Sequence, residues 1–125
     1  MKTQDKLISG KFDSLDVSGA LLLAEGDLEM LKVIAVMLAD QIEEELPLLQ
    51  RHCAEKDSAS LLQAAHRLKG SVSYFGSSPA YLACVHLEAL GMEEILSEFD
   101  SGMARLEIEL NRMVPELRRL AVIAV

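Results

Sequence analysis

Residues 57–76 read DSASLLQAAHRLKGSVSYFG, and the fold follows from the period of the apolar positions in this stretch. Leu61, Ala65, Leu68, Val72 and Phe75 recur at spacings of three and four, which on a helix of 3.6 residues per turn places them on one face. Asp57 or Ser58 supplies an oxygen for the free N–H groups of the first turn. Gly76 supplies a residue able to take the backbone conformation that ends a helix. The reading is an amphipathic helix with a sharp stop.

Outward from it the same period continues. Downstream, Ser78 followed by Pro79 starts a shorter helix, because a hydroxyl caps the free donors and proline fits the first turn, where its missing N–H costs nothing. Its stripe is Ala80, Cys84, Leu87 and Gly91. Ile95, Phe99, Leu106, Leu110, Met113, Leu117 and Leu120 form the next helix, with Met103 one residue off the ideal place. Pro115 removes one helical hydrogen bond, so a kink there and a loosely held Leu120 to Val125 are expected. Upstream, Asp27 caps a long helix with the stripe Leu31, Ile34, Leu38, Ile42, Leu46 and Leu49. Glu43, Glu44 and Glu45 crowd its other side, and Pro47 kinks it late. Asp16 caps a short first helix running to about Ala24 and broken by Gly26.

Residues 1–11 are polar and unpatterned and read as a flexible N-terminal lead-in, leaving 12–125 as one domain; Met1 favours a complete or engineered start. Four amphipathic helices with short connections make the economical arrangement an all-α, antiparallel up-down four-helix bundle with an additional short N-terminal helix.

Composition narrows what such a bundle does. Half of the 125 residues are hydrophobic, yet only three Phe, two Tyr and no Trp are present, so the core is aliphatic. The longest apolar run, Val33 to Ala39, is far shorter than the roughly 20 residues of a membrane span. Cys53 and Cys84 form neither a CxxC pair nor a disulfide framework, and no secretory leader is visible. The reducing cytoplasm is the expected compartment. A net charge of −8 argues against nucleic acid as a partner. Against that background, residues 51–70 carry Arg51, Lys56, Arg67 and Lys69 but only Glu55 and Asp57 as acids.

That basic stretch surrounds His66. At roughly 100° per residue His66 lies about 140° from the centre of the apolar stripe, facing water. Gly70 and Ser73 share its face, Lys69 stands beside it one turn on, and Leu62 lies one turn before it on the flank of the stripe. An isolated exposed histidine is ordinarily surface decoration. A glycine at an outward helix position is not, since it costs about 1 kcal/mol relative to alanine; close approach of another molecule's backbone is a reason for it. A lysine one turn away offers a point charge for phosphoryl oxygens. Imidazole, with an ordinary pKa of about 6.5, is largely neutral and nucleophilic at pH 7.

The run Ala65-His66-Arg67-Leu68-Lys69-Gly70-Ser71, then Phe75-Gly76, Cys84 and Leu87-Glu88, resembles the signature of the histidine phosphotransfer family. That signature is A-H-x-L-K-G-S with an apolar residue and glycine nine and ten positions after the histidine, a small residue or Cys at eighteen, and L-E at twenty-one and twenty-two. Ala80, where the family usually has Leu or Ile, is a departure. The resemblance covers about Phe12 to Leu120 and implies a phosphorelay intermediate: a receiver domain phosphorylated on aspartate docks over His66, the imidazole takes the phosphoryl group, and a second receiver removes it. It further implies Lys69 as the neutralising cation, Gly70 as the clearance residue and Glu88 as the partner of the other ring nitrogen. Leu62, Arg67, Ser73 and Tyr74 are the expected docking residues. The partners implied are receiver domains and a hybrid sensor histidine kinase. No cofactor of its own is expected, Mg²⁺ belonging to the receiver, and a monomer keeps His66 accessible.

Other readings have discriminating features. Dimerisation helices of sensor kinases continue His-Glu, a basic residue and proline, whereas Arg67, Leu68 and Lys69 follow here, and no glycine-rich nucleotide-binding segment is present. Autonomous kinase activity is not expected. The phosphoacceptor domain of a chemotaxis-type kinase shares the motif and stays open, as does a helical interaction module without chemistry. His52 with Cys53 and Cys84 with His86 point to different sides of their helices and do not converge on a metal ion.

Overall fold

The computed structural model describes residues 12–124; the lead-in 1–11 and Val125 lie outside them. Every segment of regular structure among the described residues is helical: α1 (Val17–Leu23), α2 (Leu28–Ala54), α3 (Ser58–Val72), α4 (Pro79–Met92) and α5 (Phe99–Ala121). Single 3₁₀ turns, Ser73–Phe75 and Leu96–Glu98, follow α3 and precede α5.

Local chemistry sets the starts. Asp16, Asp27, Asp57 and Ser78 each place a side-chain oxygen on the N–H three residues on, those of Gly19, Met30, Ser60 and Tyr81. Of the two capping candidates for α3, Asp57 is the one used. Gly76 has φ +89° and ψ −171°, a region open essentially to glycine alone, and a Cβ there would lie 2.9 Å from Asp16 Cβ. The chain reverses at that point while the Asp16 N–H bonds the Phe75 carbonyl at 2.9 Å, fastening α1 to the end of α3.

The four long helices pack in a closed cycle, α2 on α3, α3 on α4, α4 on α5 and α5 on α2. The stripe Leu61, Ala65, Leu68, Val72 and Phe75 is wholly buried. Each fully buried Leu or Phe side chain contributes up to about 1.5–3 kcal/mol, so Leu68→Ala removes about 2–5 kcal/mol. Ala80, Cys84, Leu87 and Gly91 are likewise buried, as are Leu31, Leu38, Ile42 and Leu49, with Ile34 and Leu46 half-buried against the core.

Three expectations change. Ile95 precedes α5, which begins at Phe99 after a 3₁₀ turn. Met103, four residues from Phe99 and three from Leu106, is buried squarely within the stripe. The C-terminal end is not loose at Leu120, which is fully buried, and Ile123 packs on the core. Both α2 and α5 continue as helix through Pro47 and Pro115. No helix is long and apolar enough to cross a membrane among the described residues.

Candidate functional site

With its stripe turned inward, α3 presents His66 to solvent, the side chain 70% exposed. Its Nδ1 is hydrogen-bonded to Glu88 Oε2, from α4. The second oxygen of that carboxylate accepts from Lys69 Nζ at 2.8 Å. Glu88 therefore bridges the imidazole and the ammonium, its own side chain only 13% exposed and that of Lys69 24%.

The electrostatics fix the proton. Hydrogen bonding by Lys69, and secondarily by His66, holds the Glu88 carboxyl below the usual glutamate range against the opposing effect of burial. The hydrogen bond to Glu88 raises the Lys69 ammonium above the usual lysine value. An ionised carboxylate only accepts hydrogen bonds, so Nδ1 carries the hydrogen of the neutral ring and the lone pair resides on Nε2. No protein group among the described residues bonds Nε2. The arrangement is an imidazole oriented through Nδ1 by a carboxylate, with Nε2 left open to another molecule.

The spacing between the two helices has a backbone cause. A Cβ on Gly91 would lie 3.1 Å from Leu62 N and 3.3 Å from Leu62 Cα, so any larger residue would push α4 and α3 apart by a few tenths of an ångström. The contact lies one turn before His66 and one turn after Glu88. Gly70 is the opposite case: a Cβ there meets nothing within 4 Å, and nothing within the molecule calls for glycine.

The remaining docking candidates are placed as follows. Leu62 is half-buried beneath Gly91. Arg67 is exposed and turns its Nε to Glu45 on α2 at 3.5 Å. Ser73 Oγ donates to the Gly70 carbonyl at 2.6 Å. Tyr74 is half-buried, edge-on to Phe75 at 5.6 Å between ring centroids. Glu45, expected among solvent-facing acids, is instead mostly buried.

On the α2 side of Gly70 runs an open apolar groove of about 400 Å³, lined by Ile34, Met37, Leu38, Gln41, Gly70, Ser71 and Tyr74. Met37 of this lining, and Met30 and Val33 on the same helix, are exposed. The sequence reading placed no docking residue on α2; the signal was there in Met30, Val33 and Met37, a second apolar stripe outside the core-facing one. The thiols of Cys53 and Cys84 are buried and pushed up to about 11 and about 12, chiefly by that burial, which leaves them unreactive.

A family model described as the Hpt domain matches residues 33–120. The chain belongs to that family. The match runs from the second turn of α2 to the end of α5 and takes in His66, Lys69, Gly70 and Glu88. Hpt domains perform phosphotransfer in phosphorelay signalling and interact there with receiver domains and kinases. No curated protein and no solved structure matches this Hpt domain.

Proposed function

We propose that this Hpt domain is a phosphorelay intermediate that accepts a phosphoryl group from a receiver-domain aspartate onto His66 Nε2 and passes it to the aspartate of another receiver. The observation that carries the reading is a carboxylate-held, outward-facing imidazole one turn from a glycine that packs against nothing. Phosphoryl transfer depends on positioning and electrostatics; here the nucleophile is aligned and a cation stands beside it.

The receiver contributes the acidic, Mg²⁺-holding aspartate pocket. Its backbone passes over Gly70, and its apolar face seats on Leu62, Tyr74 and the groove between α2 and α3. Arg67 meets its acidic rim, and Ser73 borders the contact. A hybrid sensor histidine kinase is the upstream source of the group. Three- and six-residue connections between successive long helices favour the antiparallel up-down course. Function as a monomer in the cytoplasm, without nucleic acid or autonomous kinase activity, completes the reading.

The test is transfer of label from an aspartyl-phosphorylated receiver domain, beside a His66→Gln control. The expected label survives base, is lost in acid and is absent from the control. A folded protein that takes no label from several receivers overturns the relay; label delivered only by an ATP-bound kinase domain points instead to a chemotaxis-type phosphoacceptor.

A further inference from the structure

Of the run Glu43-Glu44-Glu45 only Glu45 turns inward, its side chain 14% exposed. Its Oε1 is shut off from solvent and accepts no hydrogen bond. A charged oxygen in such a place is costly unless a cation answers it, and the cation is Arg67, whose Nε lies 3.5 Å away. We infer that Glu45 is a positioning residue for docking: it pins Arg67 at the edge of the α2–α3 groove, so that the two terminal guanidinium nitrogens form a fixed fork for a carboxylate on the protein that covers His66. The inference rests on the proposed relay function and names the chemistry of the partner surface, an apolar side chain for the groove with a carboxylate ~5 Å, one helical turn, from it.

The placement follows from the two helices. Gln41 of α2 and Gly70 and Ser71 of α3 line the groove. Glu45 is four residues beyond Gln41, and Arg67 is three and four residues before Gly70 and Ser71, so the ion pair stands one turn past the groove. Arg67 follows His66 directly and lies about 100° round the helix from it, turned to α2 while His66 turns to Glu88 of α4. A protein that fills the groove and reaches His66 therefore crosses Gly70 with Arg67 at its margin.

The manner of contact leaves the recognising end of the arginine open. A guanidinium carries one N–H on Nε and four on its terminal nitrogens, in a planar fork that takes a carboxylate by two parallel bonds. Nε faces Glu45, the Arg67 side chain is 61% exposed, and no other carboxylate pairs with it among the described residues. An arginine free to move loses rotamer freedom when a partner binds, whereas one already held loses less. The gain is in binding and not in chemistry, because neither Glu45 nor Arg67 bonds the imidazole, which is held by Glu88.

The test compares the parent with Glu45→Gln, which keeps the shape and removes the charge. The Arg67 Nε–H is followed by NMR relaxation in arginine-labelled protein: its fast motion is restricted in the parent and increases in the variant. Equal motion in the two overturns the pinning. Label transfer from an aspartyl-phosphorylated receiver is then measured against receiver concentration. Glu45→Gln raises KM about two- to tenfold, the cost of ordering one free arginine, with kcat unchanged; Arg67→Ala raises KM at least as much, and the double variant no more than Arg67→Ala alone. An unchanged KM, a loss confined to kcat, or additive effects overturn the docking role. Should Glu45→Gln not fold, Arg67→Lys keeps the positive charge without the fork and is expected to raise KM in the same way; an unmoved KM there overturns the role equally. A parent that takes no label from any receiver defeats the relay reading, while the arginine resonance still decides the pinning.

Discussion

At the residue scale Gly70 and Glu88 give opposed predictions. Gly70→Ala adds a methyl that meets nothing within 4 Å and replaces the poorer helix former, so the fold gains about 0.5–1 kcal/mol in urea unfolding. In the proposed docking, transfer from a receiver slows, because the methyl would stand where the receiver backbone is to pass. Unchanged transfer removes the clearance role. Glu88 links the site to pH. Its folded-state carboxyl titrates below the unfolded value of about 4.3, so the unfolded chain binds the proton first as pH falls. The stability from its two bonds is complete above that value and is lost as pH falls through the lowered folded range. For Lys69, raised by the same carboxylate, the sign reverses: the stabilisation is complete below the unfolded lysine value and is lost as pH rises through the folded one. Unfolding midpoints of parent and Glu88→Gln therefore differ at neutral pH and converge in strong acid. His66 and Lys69 were legible because a helix face is calculable from spacing. The Glu45 and Arg67 pair was not, since it depends on where two different helices cross.

At the element scale, helix starts were easier to read than helix ends. Asp16, Asp27, Asp57 and Ser78 cap where oxygen-bearing side chains stand before an apolar period. The start of α5 was misread because no side chain caps it, while Ile95, four residues before Phe99, extends the stripe. The ends hide a different device. After α1, α2 and α4 the chain closes with paired backbone bonds, Gly26 to Leu21, Asp57 to His52 and Ile95 to Leu90, the closure that needs a left-handed residue. That residue is Glu25, Lys56 or Glu94, with φ of 55°, 56° and 54°, not the glycine a sequence reader looks for. Glu94→Gly is thus expected to raise stability by about 1 kcal/mol, read as a higher urea midpoint. Lys56→Gly gains less, because Lys56 Nζ donates to the Leu96 carbonyl at 3.2 Å and lies 3.9 Å from Asp100.

At the scale of the whole molecule the charge is what discriminates partners. The chain carries −8, yet the cations Arg67 and Lys69 flank the one exposed imidazole on α3. A receiver offering an acidic pocket is attracted locally by a protein that repels acidic partners elsewhere. Raising salt from about 0.05 M to 0.5 M shortens the screening length to a few ångströms and is expected to slow receiver transfer several-fold. The transfer rate at saturating receiver stays the same. Equal salt effects on both rates show that charge does not steer the encounter. The apolar groove beside Gly70 was invisible to a reading that assigned each helix a single buried stripe; α2 has a second, and only the position of α3 makes a groove of it.

The Gly91 contact with Leu62 makes the two helices a gauge block. Backbone against backbone has no rotamers through which to drift, so this contact helps to hold the gap between His66 and Glu88. Warming a site held only by long side chains loosens it well before the protein melts. Here hydrogen exchange at the amides around Leu62 and Gly91 should show no opening easier than global unfolding. Phosphotransfer competence and helical signal should then disappear at one temperature.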